Sequence, residues 1–134
     1  MPEICLALLE LGGEHPAELR STAAGATRRL RRYARRYPMA RPRALLCRGR
    51  QARLDGRAAG ARRALARAAR EAERLRMPYE LARAHEELGH DLSAGQRSPL
   101  GLDGAEHRRL AIAGFRAIGC GPGTRGLAGL PVRT

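Results

Sequence analysis

The sequence predicts an all-α fold built from antiparallel helical hairpins, and three observations carry that prediction. Ala (25), Leu (19) and Arg (26) make up more than half of the 134 residues, and all three favour helix. Apolar residues recur at alternating four- and three-residue spacings, the signature of a helix with one buried stripe. Gly-Gly, Asp-Gly and Pro positions separate these stretches like punctuation. β-branched residues are scarce and only Tyr33, Tyr37, Tyr79 and Phe115 are aromatic, which excludes β-sandwiches and barrels. A hydrophobic content of 43% at helical spacing argues against disorder, and the length suits one domain.

The first helix is expected at 2–11, stopped by Gly12-Gly13. The second is expected at 16–37, with Pro16 in its first turn and Pro38 as its terminator. Its stripe reads Leu19, Ala23, Ala26, Leu30, Tyr33 and Tyr37. A third helix is expected from Pro42 to Leu54, carrying Ala44, Leu45, Cys47, Gly49 and Ala52. Asp55-Gly56 is a turn signal, and the short break folds the next helix back as a hairpin. That fourth helix, Arg57 to Arg76, has the stripe Ala61, Leu65, Ala68, Ala72 and Leu75. The fifth, from Pro78 to Leu92, carries Leu81, Ala84, Leu88 and Leu92. A polar loop over 93–104 precedes the last helix, 105–118, with Leu110, Ala111, Phe115 and Ile118. Residues 1–118 are thus expected as one domain, with hairpins near 42–76 and 78–118. Residues 119–134, with five glycines, are expected to be a flexible tail.

The two hairpins suggest repeats. Pro38 and Pro78 are 40 residues apart, and so are Ala44 and Ala84, and Gly49 and Gly89. The stretches 37–50 and 69–89, with Leu88-Gly89, Gly49, Ala61, Leu65 and Ala68 at the repeat positions, resemble tetratricopeptide repeats. Leu45 and His85 stand where that pattern has Trp, Arg48 stands where it has Leu, and the spacing of 40 exceeds the usual ~34. Together with Phe115-Arg-Ala-Ile-Gly119, the region 19–120 is similar to the C-terminal repeats of large bacterial multidomain regulators, the adenylate/guanylate cyclase-like and LuxR-type ATPases. The resemblance implies a short right-handed solenoid and a regulatory role. Independently of it, Gly49 and Gly89 are expected to let paired helices approach closely.

All 26 cations are Arg, against 13 acids, for a net charge of +13. The absence of Lys is what a GC-rich coding bias writes, so the charge is discounted as evidence for phosphate binding. It is also unevenly placed: residues 20–76 hold 19 Arg and three acids, while the remainder is net acidic. Arg28, Arg29, Arg32, Arg35, Arg36, Arg63, Arg67 and Arg70 are therefore the candidate contacts for an acidic partner or for phosphates. The competing view is an ordinary solvated helix face.

The remaining motifs carry no chemistry. In His85-Glu-Glu-Leu-Gly-His90 the histidines are five apart, about 140° round a helix, and cannot share a metal as an H-E-x-x-H pair does. His85 is expected to pack within the hairpin and His90 to be exposed. Gly121-Pro-Gly123-Thr-Arg-Gly126 fits G-x-G-x-x-G but follows the last helix, where no strand–helix turn exists to use it. Cys5, Cys47 and Cys120 are too dispersed for a disulfide framework or metal cluster, and Cys47 is expected in the core. No catalytic, cofactor or metal residue is expected.

The expected function is a non-catalytic protein–protein interaction or regulatory module, implied by the resemblance to be a fragment or paralogue of a bacterial signalling ATPase or cyclase. A protein or peptide partner, acidic by charge complementarity, is expected, with neighbouring repeats or a second copy as further partners. The alternative is a nucleic-acid-binding module using residues 20–76, disfavoured because stacking aromatics and known recognition motifs are absent. No stretch reaches the ~18 apolar residues of a membrane span, and no basic leader precedes the first apolar run. A cytoplasmic location is expected.

Overall fold

A computed structural model describes residues 6, 7, 10, 12 and 15–120. They form α1 Pro16–Arg36, α2 Arg41–Leu54, α3 Ala58–Arg74, α4 Pro78–Asp91 and α5 Gly104–Ala117, with a 3-10 turn Pro38–Ala40 leading into α2. Among the described residues there is no strand, only an isolated antiparallel bridge between Arg97 and Asp103. The fold is all-α. The helix expected at 2–11 and the tail expected at 119–134 lie largely outside the described residues. Leu6, Ala7 and Glu10 are helical, and Leu6 is buried against Ala23 and Cys47.

Local chemistry sets the boundaries. Helices α2 and α3 end in the same hydrogen-bonded closure. Arg57 N–H donates to Ala52 O at 2.8 Å and Gly56 N–H to Arg53 O at 3.0 Å. Met77 N–H donates to Ala72 O at 2.8 Å and Arg76 N–H to Glu73 O at 3.1 Å. This Schellman geometry needs one left-handed residue, Gly56 (φ 78°) in the first case and Arg76 (φ 55°) in the second. Helix α5 opens on a capping box. The Asp103 carboxylate accepts from Glu106 N–H and the Glu106 carboxylate from Asp103 N–H, both at 2.8 Å.

Each helix packs on the next, and α2 also touches α4. Three-residue connections at 55–57 and 75–77 force the joined helices antiparallel. Helix α3 lies between α2 and α4 and buries Ala61, Ala64, Leu65, Ala66, Ala68, Ala69 and Ala72, a wider band than a single stripe. The seams are close. A Cβ added at Gly49 would sit 2.7 Å from Leu65 Cγ and 3.3 Å from Ala61 O. One added at Gly89 would sit 2.9 Å from Arg108 Cγ and 3.2 Å from Gly104 O.

Two seams differ from the sequence expectation. Helix α1 buries Ala23, Thr27 and Ala34, with Leu30 packed beside them, while Tyr33 and Tyr37 are 55% and 50% exposed. Helix α5 buries Gly104, His107 and Ala111, and Gly114 faces Ala82, leaving Leu110 and Ile118 exposed. The cause is shared. Both helices place mainly small residues at the seam, with His107 the one large side chain fully buried among them, and the bulkier apolar residues turn outward. Phe115 is partly buried, edge-on to Tyr79 at 6.0 Å between ring centroids.

Candidate functional site

The fold sorts the arginines into paired and unpaired sets. On one side of α2, Arg50 donates to both carboxylate oxygens of Glu10, at 3.1 and 2.9 Å. Arg53 donates to Glu87 and, at 2.5 Å, to Asp91, both on α4. Arg83 donates to Glu86 at 2.5 Å and to Glu87 at 3.3 Å. Burial disfavours the charges of Arg50 and Arg53, yet their carboxylate partners outweigh it and hold both guanidiniums above their ordinary value. Burial also pushes the Glu87 carboxyl up, but Arg53, Arg83 and Arg50 together hold it below the usual range. These groups neutralise one another and clamp α2 to α4.

The opposite side of α2 faces a cleft of about 410 Å³ among α1, α2 and α3. Ala34, Ala44 and Leu45 line its apolar part, and Arg31, Arg35, Arg41, Arg48 and Arg67 contribute its charge together with Glu71. Helical spacing places them: Arg31 and Arg35 are one turn apart on α1, and Arg41 and Arg48 are two turns apart on α2. None of the five has a carboxylate within 4.0 Å among the described residues. Glu71 is engaged by Arg74 at 2.8 Å. That bond, with the charges of Arg74, Arg41 and Arg67, holds its carboxyl low. Burial and the neighbouring charges of Arg31, Arg67 and Arg57 lower the Arg48 pKa, as expected where positive charge accumulates unneutralised.

A second polar cluster ties α4, α5 and the 93–103 loop. His85 Nδ1 lies 2.9 Å from His107 Nδ1, and His107 Nε2 lies 2.7 Å from Ser98 Oγ. Distances of this kind join a nucleophile to its base. Here, however, Ser98 is buried and its oxygen also accepts from Leu100 N–H at 3.1 Å. His85 faces α5, whereas Glu87 and Asp91 face α2, so those two carboxylates do not converge on the histidines. His90 is exposed at the end of α4. Among the described residues no three His, Cys, Asp or Glu side chains gather as a metal site, and no helix is long and apolar enough to cross a membrane.

Of the eight arginines singled out from the sequence, the cleft gathers only Arg35 and Arg67. Arg28, Arg29, Arg32 and Arg36 are exposed on other faces of α1, Arg63 is exposed on α3, and Arg70 reaches the Pro99 carbonyl at 3.4 Å. Arg31, Arg41 and Arg48 are absent from the sequence-based set, because charge density along the chain does not show which arginines face one another across helices. The pairing of Arg41 and Arg48 around Ala44 and Leu45 was the available signal. Ala61, Leu65, Ala68, Leu88 and Gly89 are buried in the seams, as is Gly49. No family model matches the chain, and neither do any curated proteins or solved structures.

Proposed function

We propose that the chain is a non-catalytic interaction module whose helical hairpins present the arginine-lined cleft to an acidic protein segment. The observation that carries this reading is the contrast within α2. Arg50 and Arg53 are neutralised by carboxylates on one side, while Arg41 and Arg48 face an open cleft whose carboxylate, Glu71, is engaged by Arg74. Unpaired guanidiniums around Ala34, Ala44 and Leu45 suit a segment that carries carboxylates on either side of one apolar anchor. Guanidiniums bind carboxylates through paired hydrogen bonds, and the anchor supplies desolvated area. The equivalent placement of Gly49 and Gly89 supports reading the two hairpins as tetratricopeptide-like repeats in a short solenoid. With the resemblance noted above, it supports a regulatory part of a bacterial signalling ATPase or cyclase acting in the cytoplasm.

The test is fluorescence anisotropy with a labelled peptide of Asp and Glu residues flanking one Leu, alongside the same peptide with Ala at that position. Binding in the micromolar range, weakened at least about tenfold by Arg48→Glu with Arg67→Glu and weakened by loss of the Leu, is expected. Equal loss from Arg28→Glu with Arg63→Glu would reduce the effect to bulk charge and sink the proposal.

A further inference from the structure

The outward face of α1 carries a different combination from the cleft. Arg29, Tyr33, Arg36 and Tyr37 are spaced i, i+4, i+7 and i+8, so they share one face, with Arg32 at its edge. The tyrosine rings lie against each other with centroids 4.5 Å apart and planes 30° apart. Both are at least half exposed, and Met39, 72% exposed, follows them in the 3-10 turn. Buried aromatic pairs are ordinary core. This pair is held out of the core because Ala23, Thr27 and Ala34 make the seam instead. Arg29, Arg32 and Arg36 are exposed, and none has a carboxylate within 4.0 Å among the described residues. Glu18 is the sole acid of α1 and lies three turns before Arg29.

The geometry points to a binding platform for single-stranded nucleic acid on this face, separate from the cleft and independent of its ligand. Every base has a π-face, so two exposed rings can stack bases without reading sequence, and arginines alongside them track the phosphates. From Arg29 to Arg36 the helix rises about 10 Å, and Tyr37 caps it, which is enough for two stacked bases and their phosphates. An acidic peptide would use the arginines but gains nothing specific from paired rings, and duplex DNA keeps its bases out of reach of stacking. The sequence reading places Tyr33 and Tyr37 in the buried stripe, whereas the structure leaves both at least half exposed.

The experiment uses the full chain with labelled twelve-residue oligo-dT and oligo-rU, a duplex of the same length and a poly-Glu peptide, across a salt series. Binding of a single strand in preference to the duplex is expected, with the two oligomers separating DNA from RNA as the source. Tyr33→Ala with Tyr37→Ala weakens it about tenfold or more, and the double Phe variant, which keeps the rings, restores it. Replacing Arg29, Arg32 and Arg36 by Gln flattens the salt dependence by about two in log–log slope. Circular dichroism confirms that each variant is folded. Duplex binding as tight as single-strand binding, indifference to the Ala pair, equal loss in the Phe pair, or poly-Glu competition that depends on the tyrosines would each overturn the platform. Loss of peptide binding at the cleft, with this profile intact, would fail the functional proposal alone.

Discussion

His85 Nδ1 and His107 Nδ1 stand 2.9 Å apart across the seam between α4 and α5, and His107 is fully buried. Only one hydrogen fits between the two nitrogens, so one ring donates while the other accepts, and the pair is folded in its neutral form. Ser98 Oγ closes the chain at 2.7 Å from His107 Nε2. The histidines therefore couple three segments of backbone through a set of bonds that a second proton breaks.

Acidification should weaken the fold through this pair. Burial, reinforced by the neighbouring His85, pushes His107 down to about 4, against opposition from Glu106 and Asp103. Burial also lowers His85, against Glu73. The unfolded chain takes up protons near the ordinary histidine value of about 6.5. The stabilisation is thus complete above about pH 6.5 and is lost as pH falls towards 4. After allowance for solvent screening, about 1–2 kcal/mol should disappear from urea unfolding over that window. His107→Gln, which can still bond Ser98, should flatten the dependence. An unchanged slope in that variant would show that other groups cause it.

Gly49→Ala should destabilise by about 1–3 kcal/mol. The new methyl meets Leu65 Cγ at 2.7 Å and Cδ2 at 2.8 Å in a core seam, and the Ala61 carbonyl at 3.3 Å blocks a simple sideways shift. Gly25→Ala is the control. It also sits inside a helix, but its nearest neighbour is a flexible guanidinium at 4.0 Å, so the gain in helix propensity should raise stability by up to about 1 kcal/mol. Thermal melts of the two variants should move in opposite directions, and movement in the same direction would refute the close-packed seam.

These cases show what the sequence makes legible. Helix positions and both hairpin turns follow from spacing and from Gly and Pro, because those signals are local. Gly49 and Gly89 were also readable, since only a missing Cβ explains a glycine inside an apolar helix face. The faces of α1 and α5 were not. Spacing and size in the sequence point to Tyr33, Tyr37, Leu110 and Ile118, whereas the structure buries Thr27, Ala34 and His107. At α5 the close approach of Gly114 to Ala82 leaves no room for a large side chain, whereas the His107 ring is admitted where its nitrogens meet His85 and Ser98. The cleft was illegible for another reason. Arg31, Arg48 and Arg67 come together only when three helices are assembled, and beyond the spacing of Arg41 and Arg48 nothing local distinguishes them from the paired Arg50 and Arg53.

Arg76→Gly should stabilise the chain. Arg76 occupies the left-handed position of the α3 closure at φ 55°, where Gly56 and Gly119 serve at φ 78° and 82° in the closures of α2 and α5. A residue with a Cβ pays about 1–2 kcal/mol there, partly offset by the greater freedom glycine brings to the unfolded chain. A net gain of about 1 kcal/mol in urea unfolding is expected. Among the described residues Arg76 makes no side-chain bond that the change would remove, so a loss of stability would mean that the left-handed turn is not strained.

Arg53→Met should cost more than any other single arginine change, about 3 kcal/mol, because it strands a buried carboxylate. Glu87 is 4% exposed and, among the described residues, keeps only the bond to Arg83, at 3.3 Å, once Arg53 is gone. The pH response identifies the mechanism. In the native chain, burial pushes the Glu87 carboxyl up but Arg53, Arg83 and Arg50 hold it low. Its contribution is therefore present at neutral pH and lost as pH falls through the acid range. Without Arg53, burial dominates and the carboxyl rises, so moderate acid should narrow the gap between variant and native protein rather than widen it. Glu87→Gln in the Arg53→Met background should recover part of the loss by removing the charge that was stranded. A purely packing role for the Arg53 stem predicts no recovery and no pH-dependent narrowing, so the double-mutant cycle separates the ion network from the contacts of the side chain that carries it.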